Sequence, residues 1–575
     1  MIIDSRRYDE WAQAIAAGDW LGSGVFYQAP LYPYFLAGLY SIVGHNLFWA
    51  RLIQILLGSL SCVLCFQSGR LFFGRAAGIA AGIMLAFYAP AIFFDPLIQK
   101  ACFDLFFMSA ALVLLGSGMK YGAWWTWAAV GFVFGCFTLT RESALLLVLI
   151  LAGWILLEPR AGGIKRRLSF AGLLLFGAAL PLLPVYIRNV RFGSVMSLTT
   201  YNVGTSFYIG NNSSATGTYM PLRESRGATE FEETDAGELA MCEAGRSLAP
   251  DEISRFWFYK AMREIRAAPV VWLRLLGVKA ALSINRIEAI DTDDIYFYEL
   301  FSAPLRILNS FWNFGLLLPL AVAGIVMTRH RWRNLMPLNL MIAGLLAGLI
   351  IFYVVARYRH AMIPLLVVFA GAAVAEAWQA LRRRRQRELP GPVLAALIVF
   401  ILCRLPIASK NEQLATSYFN AAGIHYKRGE YGMAEDFYRK SLELGRLETA
   451  GFVNLAVALM NAGELTEARQ LLEKALPDAP DKASIFLNLG NIAIREGRTT
   501  DALQLCMRAR GINRDSPEIE NSLGLALALS GKREESIAHF QRAIELKPDY
   551  ASPRRNLALT LQDTQQTTAS LGLSR

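Results

Sequence analysis

Charge is what this sequence has little of. Only 18% of its 575 residues are charged, 54% are apolar, and mean hydropathy is +0.35. A soluble chain of this length carries about 25% charge, so a wholly soluble protein is excluded. Histidine is scarcer still: there are five, and no two share a helix face at zinc-ligand spacing. The seven cysteines are scattered. Cys62 and Cys65 form a CxxC, but inside an apolar helix, where two buried small side chains are the simpler reading than a redox or zinc centre. Neither a disulfide framework nor a nucleic-acid surface is indicated. The net charge of +11 sits largely in short clusters, 165-KRR-167, 329-RHRWR-333 and 382-RRRR-385. Each lies at the end of an apolar segment, where basic residues set membrane orientation.

What is abundant is long apolar sequence. A spanning helix needs about 20 apolar residues. Ten segments are expected to span: 47–69, 76–94, 101–119, 122–140, 143–158, 168–187, 308–327, 336–355, 361–379 and 390–407. The stretch 30-PLYPYFLAGLYSIVG-44 is shorter and interrupted by Pro33, and fits either a span or an interfacial helix. The basic turns 70-RLFFGR-75, Lys120, 159-PRAGGIKRR-167, 329-RHRWR-333 and 381-LRRRRQR-387 alternate correctly for a cytoplasmic side. Asp95, the Arg141 turn, a loop over 188–305, 357-RYRH-360 and everything after 407 then fall on the other side. A positive charge on that outer face needs another reason, and an anionic ligand supplies one. No ionisable residue is expected deep within a span, which argues against a transporter or flippase.

Residues 415–560 repeat every 34 residues, the period of tetratricopeptide helix pairs. Small residues recur at Ala422, Ala456, Gly490, Gly524 and Ala558. Turn glycines recur at Gly429, Gly463, Gly497 and Gly531, and second-helix small residues at Ala434, Ala468, Ala502 and Ser536. The fold class expected is all-α: a polytopic transmembrane helical bundle over 1–407 with a C-terminal repeat solenoid. The bundle carries outer loops 1–30 and 188–305. The solenoid holds four repeats and a capping helix over 410–562, and a flexible tail follows at 563–575. Stacked repeats present a groove for a peptide or partner protein.

The chain opens 1-MIIDSRRYDEW-11. Tyr8, Trp11, Ile15 and Leu21 gather near one helical face, which predicts an amphipathic helix on a membrane surface. An aromatic segment, 24-GVFYQAPLYPYF-35, follows. This order resembles the first outer loop of GT-C glycosyltransferases, membrane enzymes that use lipid-phosphate-linked sugars. The nearest branch is that of protein O-mannosyltransferases and the aminoarabinose transferase of lipid A. The resemblance runs through 4-DSRRY-8, 26-FYQAPLYPYF-35, 93-FFDPLIQK-100, 140-TRES-143, 187-IRN-189, 204-GTSFYIGNN-212 and 357-RYRH-360, over roughly residues 1–405.

The resemblance implies that Asp4 is the catalytic carboxylate and that Asp95 is the acidic residue of the second outer loop. Sugar transfer from a lipid phosphate needs a base for the acceptor's proton and cations on the departing phosphate. Tyr8, Lys100, Arg141, Arg357, Tyr358 and Arg359 are the substrate-binding candidates, since arginine grips phosphate bidentately. Each has a bland rival: Asp4 and Asp95 as helix caps, Arg141 as a structural ion pair with Glu142, and RYRH as a headgroup anchor. The acidic run in 286-RIEAIDTDDIYFY-298 reads as a solvated face. A divalent cation at Glu288 is the alternative, and no cofactor is otherwise expected. Lys279 is expected at the membrane interface.

Three functions compete. The preferred one is a glycosyltransferase of the bacterial plasma membrane. It moves a sugar from a polyprenyl-phosphate donor to a hydroxyl, with an extracytoplasmic repeat array recruiting acceptor or partner. The second is a membrane-anchored repeat scaffold for an envelope-assembly or polysaccharide-export complex, for which ten spans are excessive. The third is a transporter. Members of the resembled family have a span ahead of the first loop, so the reading frame upstream is expected to encode one.

Overall fold

The computed structural model describes residues 3–22, 24–159, 162–193, 197–223, 229–445 and 449–572, with the side chains of 3, 4, 193, 229, 230, 449, 450 and 563–572 also outside the description. Among the described residues all regular structure is helical. The chain forms two compact units, Met1–Lys410 and Asn411–Arg575.

In the first unit all ten apolar segments are helical, but among the described residues six helices are long and apolar enough to cross a bilayer. They are Leu47–Phe73, Ala101–Tyr121, Ile164–Phe192, Ala303–Met327, Arg329–Ile351 and Ile363–Arg382. The pair Pro250–Ala267 and Pro269–Ile284, bent by 108°, makes a seventh if counted as one span. This corrects the expected ten. Four segments instead form the short helices Arg75–Ala86, Trp125–Thr138, Ala144–Leu157 and Pro390–Leu402. At 1.5 Å per residue each is roughly 20 Å long, less than the ~30 Å hydrocarbon core. Apolar counting missed where the helices stop. Pro90 opens a new helix at Ala89–Phe94, so the run 76–94 breaks at Phe87–Tyr88. Gly122 adopts φ +70 and ends the preceding helix. Asp104 also lies in the first turn of a span, an ionisable residue the sequence reading overlooked.

The short helix Trp125–Thr138 is held by backbone-level packing. A Cβ on Gly131 would collide with the Leu174 carbonyl, and one on Gly177 with that of Ala128. Small residues thus let this helix and Ile164–Gly193 touch directly. A continuous core including Phe134, Leu147, Phe314, Leu317 and Phe369 fills the space between helices. Successive helices return, so the turns fall at two ends of the bundle. At one end Arg331 donates to the Phe72 carbonyl at 2.6 Å, joining two basic turns. At the other, Arg141 donates to the Arg357 carbonyl at 3.1 Å.

That second end carries the helices outside the bundle. Helix Ile3–Ala16 packs its Tyr8, Ala12 and Ile15 face onto helix Leu31–Val43. Tyr8 meets Tyr32 edge-on at 5.2 Å. This corrects the expected membrane-surface helix: the apolar face is covered by protein, and Leu21 alone of the four stays exposed. Asn189 and Arg188 pin the segment that follows. Asn189 Oδ1 accepts from Phe26 N at 3.5 Å, and Arg188 lies 3.6 Å from the Phe26 ring centre. Lys279 is fully buried rather than interfacial, donating to Asn211 Oδ1 at 2.9 Å.

The second unit repeats a helix pair four times, from Lys410–Lys427 with Tyr431–Leu444 to Pro517–Leu529 with Arg533–Leu546. The 34-residue pattern has a physical cause at each position. Gly429, Gly463, Gly497 and Gly531 all take positive φ in the turns. A Cβ on Gly524 would come within 2.8 Å of the Phe540 ring. His425 and His539 pair with Glu430 and Glu520, each at 2.5 Å. The last helix runs Ala551–Gly572, past the expected end at 562. Residues 573–575 lie outside the described residues.

Candidate functional site

Turns at one end of the membrane unit enclose a cavity of about 430 Å³. Of the residues singled out in the sequence, Tyr8, Lys100, Arg141, Arg357 and Tyr358 line it together. They come from far apart. Tyr8 is on the first helix and Lys100 at the cap of Ala101–Tyr121. Arg141 is in the turn before Ala144–Leu157, and Arg357 and Tyr358 are on the short helix Ala356–His360.

The cations are held, each in a different way. Arg141 forms a buried ion pair with Asp104, its Nε donating to Oδ2 at 2.8 Å. Thr140 donates to the other carboxylate oxygen at 3.0 Å. The Arg141 guanidinium also stacks 4.6 Å from the Tyr358 ring centre. The partner expected for it, Glu142, is not its ion-pair partner; Glu142 accepts from the Thr200 hydroxyl at 3.1 Å. Arg357 pairs with Asp291 at 2.7 Å. Lys100 is buried, and burial pushes its ammonium below the usual lysine value; Glu142 opposes that shift and Arg357 and Arg141 add to it.

Arg359 does not line the cavity. It is fully buried and reaches Glu288 at 2.5 Å, Asn285 O at 2.6 Å and Ile287 O at 3.2 Å. The acidic run is therefore turned inward: Glu288 and Asp291 both meet arginines of the RYRH helix, and Gln99 donates to Asp293 at 3.3 Å. Among the described residues no group of three or more metal-ligating side chains is assembled. His360 is buried against Phe94, and burial pushes its imidazole down to about 3, so it stays neutral.

Asp95 lies elsewhere. It is not in the cavity wall but packs against Gly58, where any Cβ would collide with its carboxylate. Its Oδ1 is buried with no hydrogen-bond partner among the described residues, and burial pushes the carboxyl up to about 7. Gln54 holds the backbone here, donating to Asp95 O at 3.0 Å and Leu97 O at 2.6 Å. The Asp4 side chain lies outside the described residues; its backbone is in the first helix, one turn before Tyr8.

The sequence reading missed part of the wall. Tyr27, Gln28, Tyr219 and Glu232 line the cavity. Glu232 comes from helix Thr229–Ala244 of the long loop and accepts from Tyr27 at 2.8 Å and Tyr219 at 3.0 Å. The signal was the acidic stretch 230-EFEETD-235, whose Glu233 docks on Arg7 at 2.7 Å. The rest of the wall is apolar. Leu145, Leu146 and Leu149 come from the short apolar helix Ala144–Leu157, and Leu345, Gly348 and Leu349 from the span Arg329–Ile351. These leucines begin near the turns and continue down the helices, while the cations sit in the turns.

Residues 27–187 match the family model described as dolichyl-phosphate-mannose-protein mannosyltransferase. That stretch contains Tyr27, Gln28, Lys100, Arg141 and Glu142. Residues 415–444, 459–526 and 524–565 match tetratricopeptide repeat families. Among curated proteins none matches the chain. Among solved structures, MamA from Desulfovibrio magneticus RS-1 is similar at 18% identity over 29% of this chain and 93% of that one, with a TM-score of 0.24. YrrB, described as a TPR protein with an unusual peptide-binding site, is similar at 18% identity over 32% and 88%, with a TM-score of 0.22. The chain thus joins a region similar to the mannosyltransferase family to tetratricopeptide repeats, in an integral multi-pass membrane protein.

Proposed function

We propose that the membrane unit is a glycosyltransferase that takes a sugar from a polyprenyl phosphate and passes it to a hydroxyl of a protein, lipid or glycan. The observation that carries this reading is the division of the cavity. Lys100, Arg141 and Arg357 gather at the helix ends, and leucines of two apolar helices continue below them. A phosphate on an isoprenoid chain has the same two parts.

Asp4 is the base in this reading. The acceptor hydroxyl gives its proton to the carboxylate as its oxygen bonds to the anomeric carbon. The bond from that carbon to the phosphate oxygen breaks, and the phosphate leaves with the electron pair onto the cations. One base suffices for a single inverting displacement, because a phosphate needs no strong acid to leave. Arg141 and Arg357 steady the phosphate and Tyr8 and Tyr358 shape its surroundings. Arg359 and Glu288 fix the loop that presents Asp291.

We place the cavity on the extracytoplasmic face of a bacterial plasma membrane, since the basic turns lie at the opposite end of the bundle. The chain leaves the membrane unit at the cavity's end, where Arg286 N donates to Cys403 O and Asn285 Nδ2 to Leu405 O, both at 2.8 Å. The repeats then share that compartment, where their groove recruits the acceptor or an assembly partner. The test is sugar transfer by the purified chain in nanodiscs, read by mass spectrometry of the product. Undiminished transfer by Asp4→Asn removes the base. Failure of the wild type to bind any polyprenyl phosphate removes the reading itself.

A further inference from the structure

Gln28 stands out in the cavity wall. Its Oε1 is buried and has no hydrogen-bond partner among the described residues. Buried acceptors are nearly always satisfied, and leaving one bare costs free energy that a bound donor group restores. The segment that carries it is fixed on both sides. The Tyr27 hydroxyl is tied to Glu232 at 2.8 Å, and Leu31 N donates to the Leu139 carbonyl at 3.1 Å. Ala29 between them is fully buried. The backbone is therefore held rather than loose, and a ligand reaches the buried Oε1 when the Gln28 side chain turns toward the cavity.

A sugar carried on a polyprenyl phosphate has three parts, and only one suits this atom. The ionised phosphate accepts hydrogen bonds but donates none. The isoprenoid chain does neither. The acceptor's hydroxyl has a proton, but that proton goes to the base. Ring hydroxyls or an amine of the sugar are the donors left.

We propose that Gln28 is the sugar-reading residue of the cavity, its Oε1 accepting a hydrogen bond from a ring hydroxyl or amine of the donor sugar. This rests on the reading above that the donor is a sugar on polyprenyl phosphate. The cavity then has three subsites: cations for the phosphate, leucines for the chain, and the Gln28 wall for the sugar.

The test compares binding of bare decaprenyl phosphate with that of decaprenyl-phosphate mannose, glucose and arabinose to the full chain in nanodiscs. The wild type is expected to bind at least one sugar-bearing lipid more tightly than the bare one. Gln28→Met, similar in length but without the acceptor, is expected to lose about fivefold to tenfold of affinity for that lipid. Its affinity for bare decaprenyl phosphate stays at the wild-type level, which also reports that it has folded. Equal loss for bare and sugar-bearing lipids means that Gln28 shapes the cavity and overturns the proposal. So does a variant that keeps the wild-type preference, or a wild type that binds all four lipids alike. Failure of the wild type to bind even bare decaprenyl phosphate instead strikes the glycosyltransferase reading on which the proposal rests.

Discussion

Arg141 and Asp104 form a buried ion pair at the mouth of two membrane helices, and the same guanidinium faces the cavity. In the proposed function, the cation offered to the phosphate thus already has a carboxylate partner. The pairing holds the guanidinium in place where an unpaired charge is expensive.

Removing one partner of this pair is expected to cost about 3–5 kcal/mol, since it strands the other. Asp104→Ala should therefore unfold early in a thermal melt of the detergent-solubilised chain. The double variant Asp104→Leu with Arg141→Met should recover most of the stability while sugar transfer stays lost. Recovery of both would show that Arg141 has no role at the phosphate.

Arg357 pairs with Asp291 and faces the same cavity. Arg357→Ala is expected to lower turnover by roughly 10²–10³-fold, the usual loss when one charge-stabilising donor is removed. Arg357→Lys should restore only part, because the planar two-pronged grip is gone. Steady-state kinetics with a polyprenyl-phosphate sugar decide it.

Burial holds the Lys100 ammonium below its ordinary value. It is charged at low pH and loses that charge as pH rises through the depressed value. Affinity for bare polyprenyl phosphate should thus fall with rising pH earlier than an ordinary lysine allows. Lys100→Arg should remove that fall. A wild-type profile flat to pH 10 would contradict the assignment of Lys100 to the phosphate.

Asp95 makes a separate prediction about stability. Burial raises its carboxyl from 3.8 to about 7 in the folded chain. The native state then binds the proton more tightly than the unfolded one. Its contribution is full below pH 3.8 and is lost as pH rises through about 7. The wild type should melt lower at pH 8 than at pH 5. Asp95→Asn should flatten that slope and melt above the wild type at pH 8. Gly58→Ala should destabilise at every pH, because the added methyl displaces the carboxylate.

The repeat unit was legible almost position by position, because its spacing is set locally: positive φ at Gly429 and its equivalents, and a ring against Gly524. The membrane unit was legible as helices but not as lengths, since Pro90 opens a new helix inside the run 76–94 that hydropathy reads as continuous. Of the cavity, the outward arginines and Lys100 were found because charge beside a span is unusual. Asp104 was hidden by the apolar residues around it, and Glu232 by a loop whose fold no local pattern announces. Arg357 and Arg359 show the limit most clearly. They are two residues apart and chemically alike, yet one lines the cavity and the other anchors a loop, which depends on partners about 70 positions away.

The wall reaches from Tyr8 to Tyr358. A growing chain therefore cannot enclose the cavity while its later helices are still being synthesised. The first helix and the Gln28 segment leave the ribosome early and wait with only part of their eventual surroundings. The wall is complete only once the short helix Ala356–His360 is in place. A chain stalled before that point lacks Arg357 and Tyr358 and with them one side of the wall.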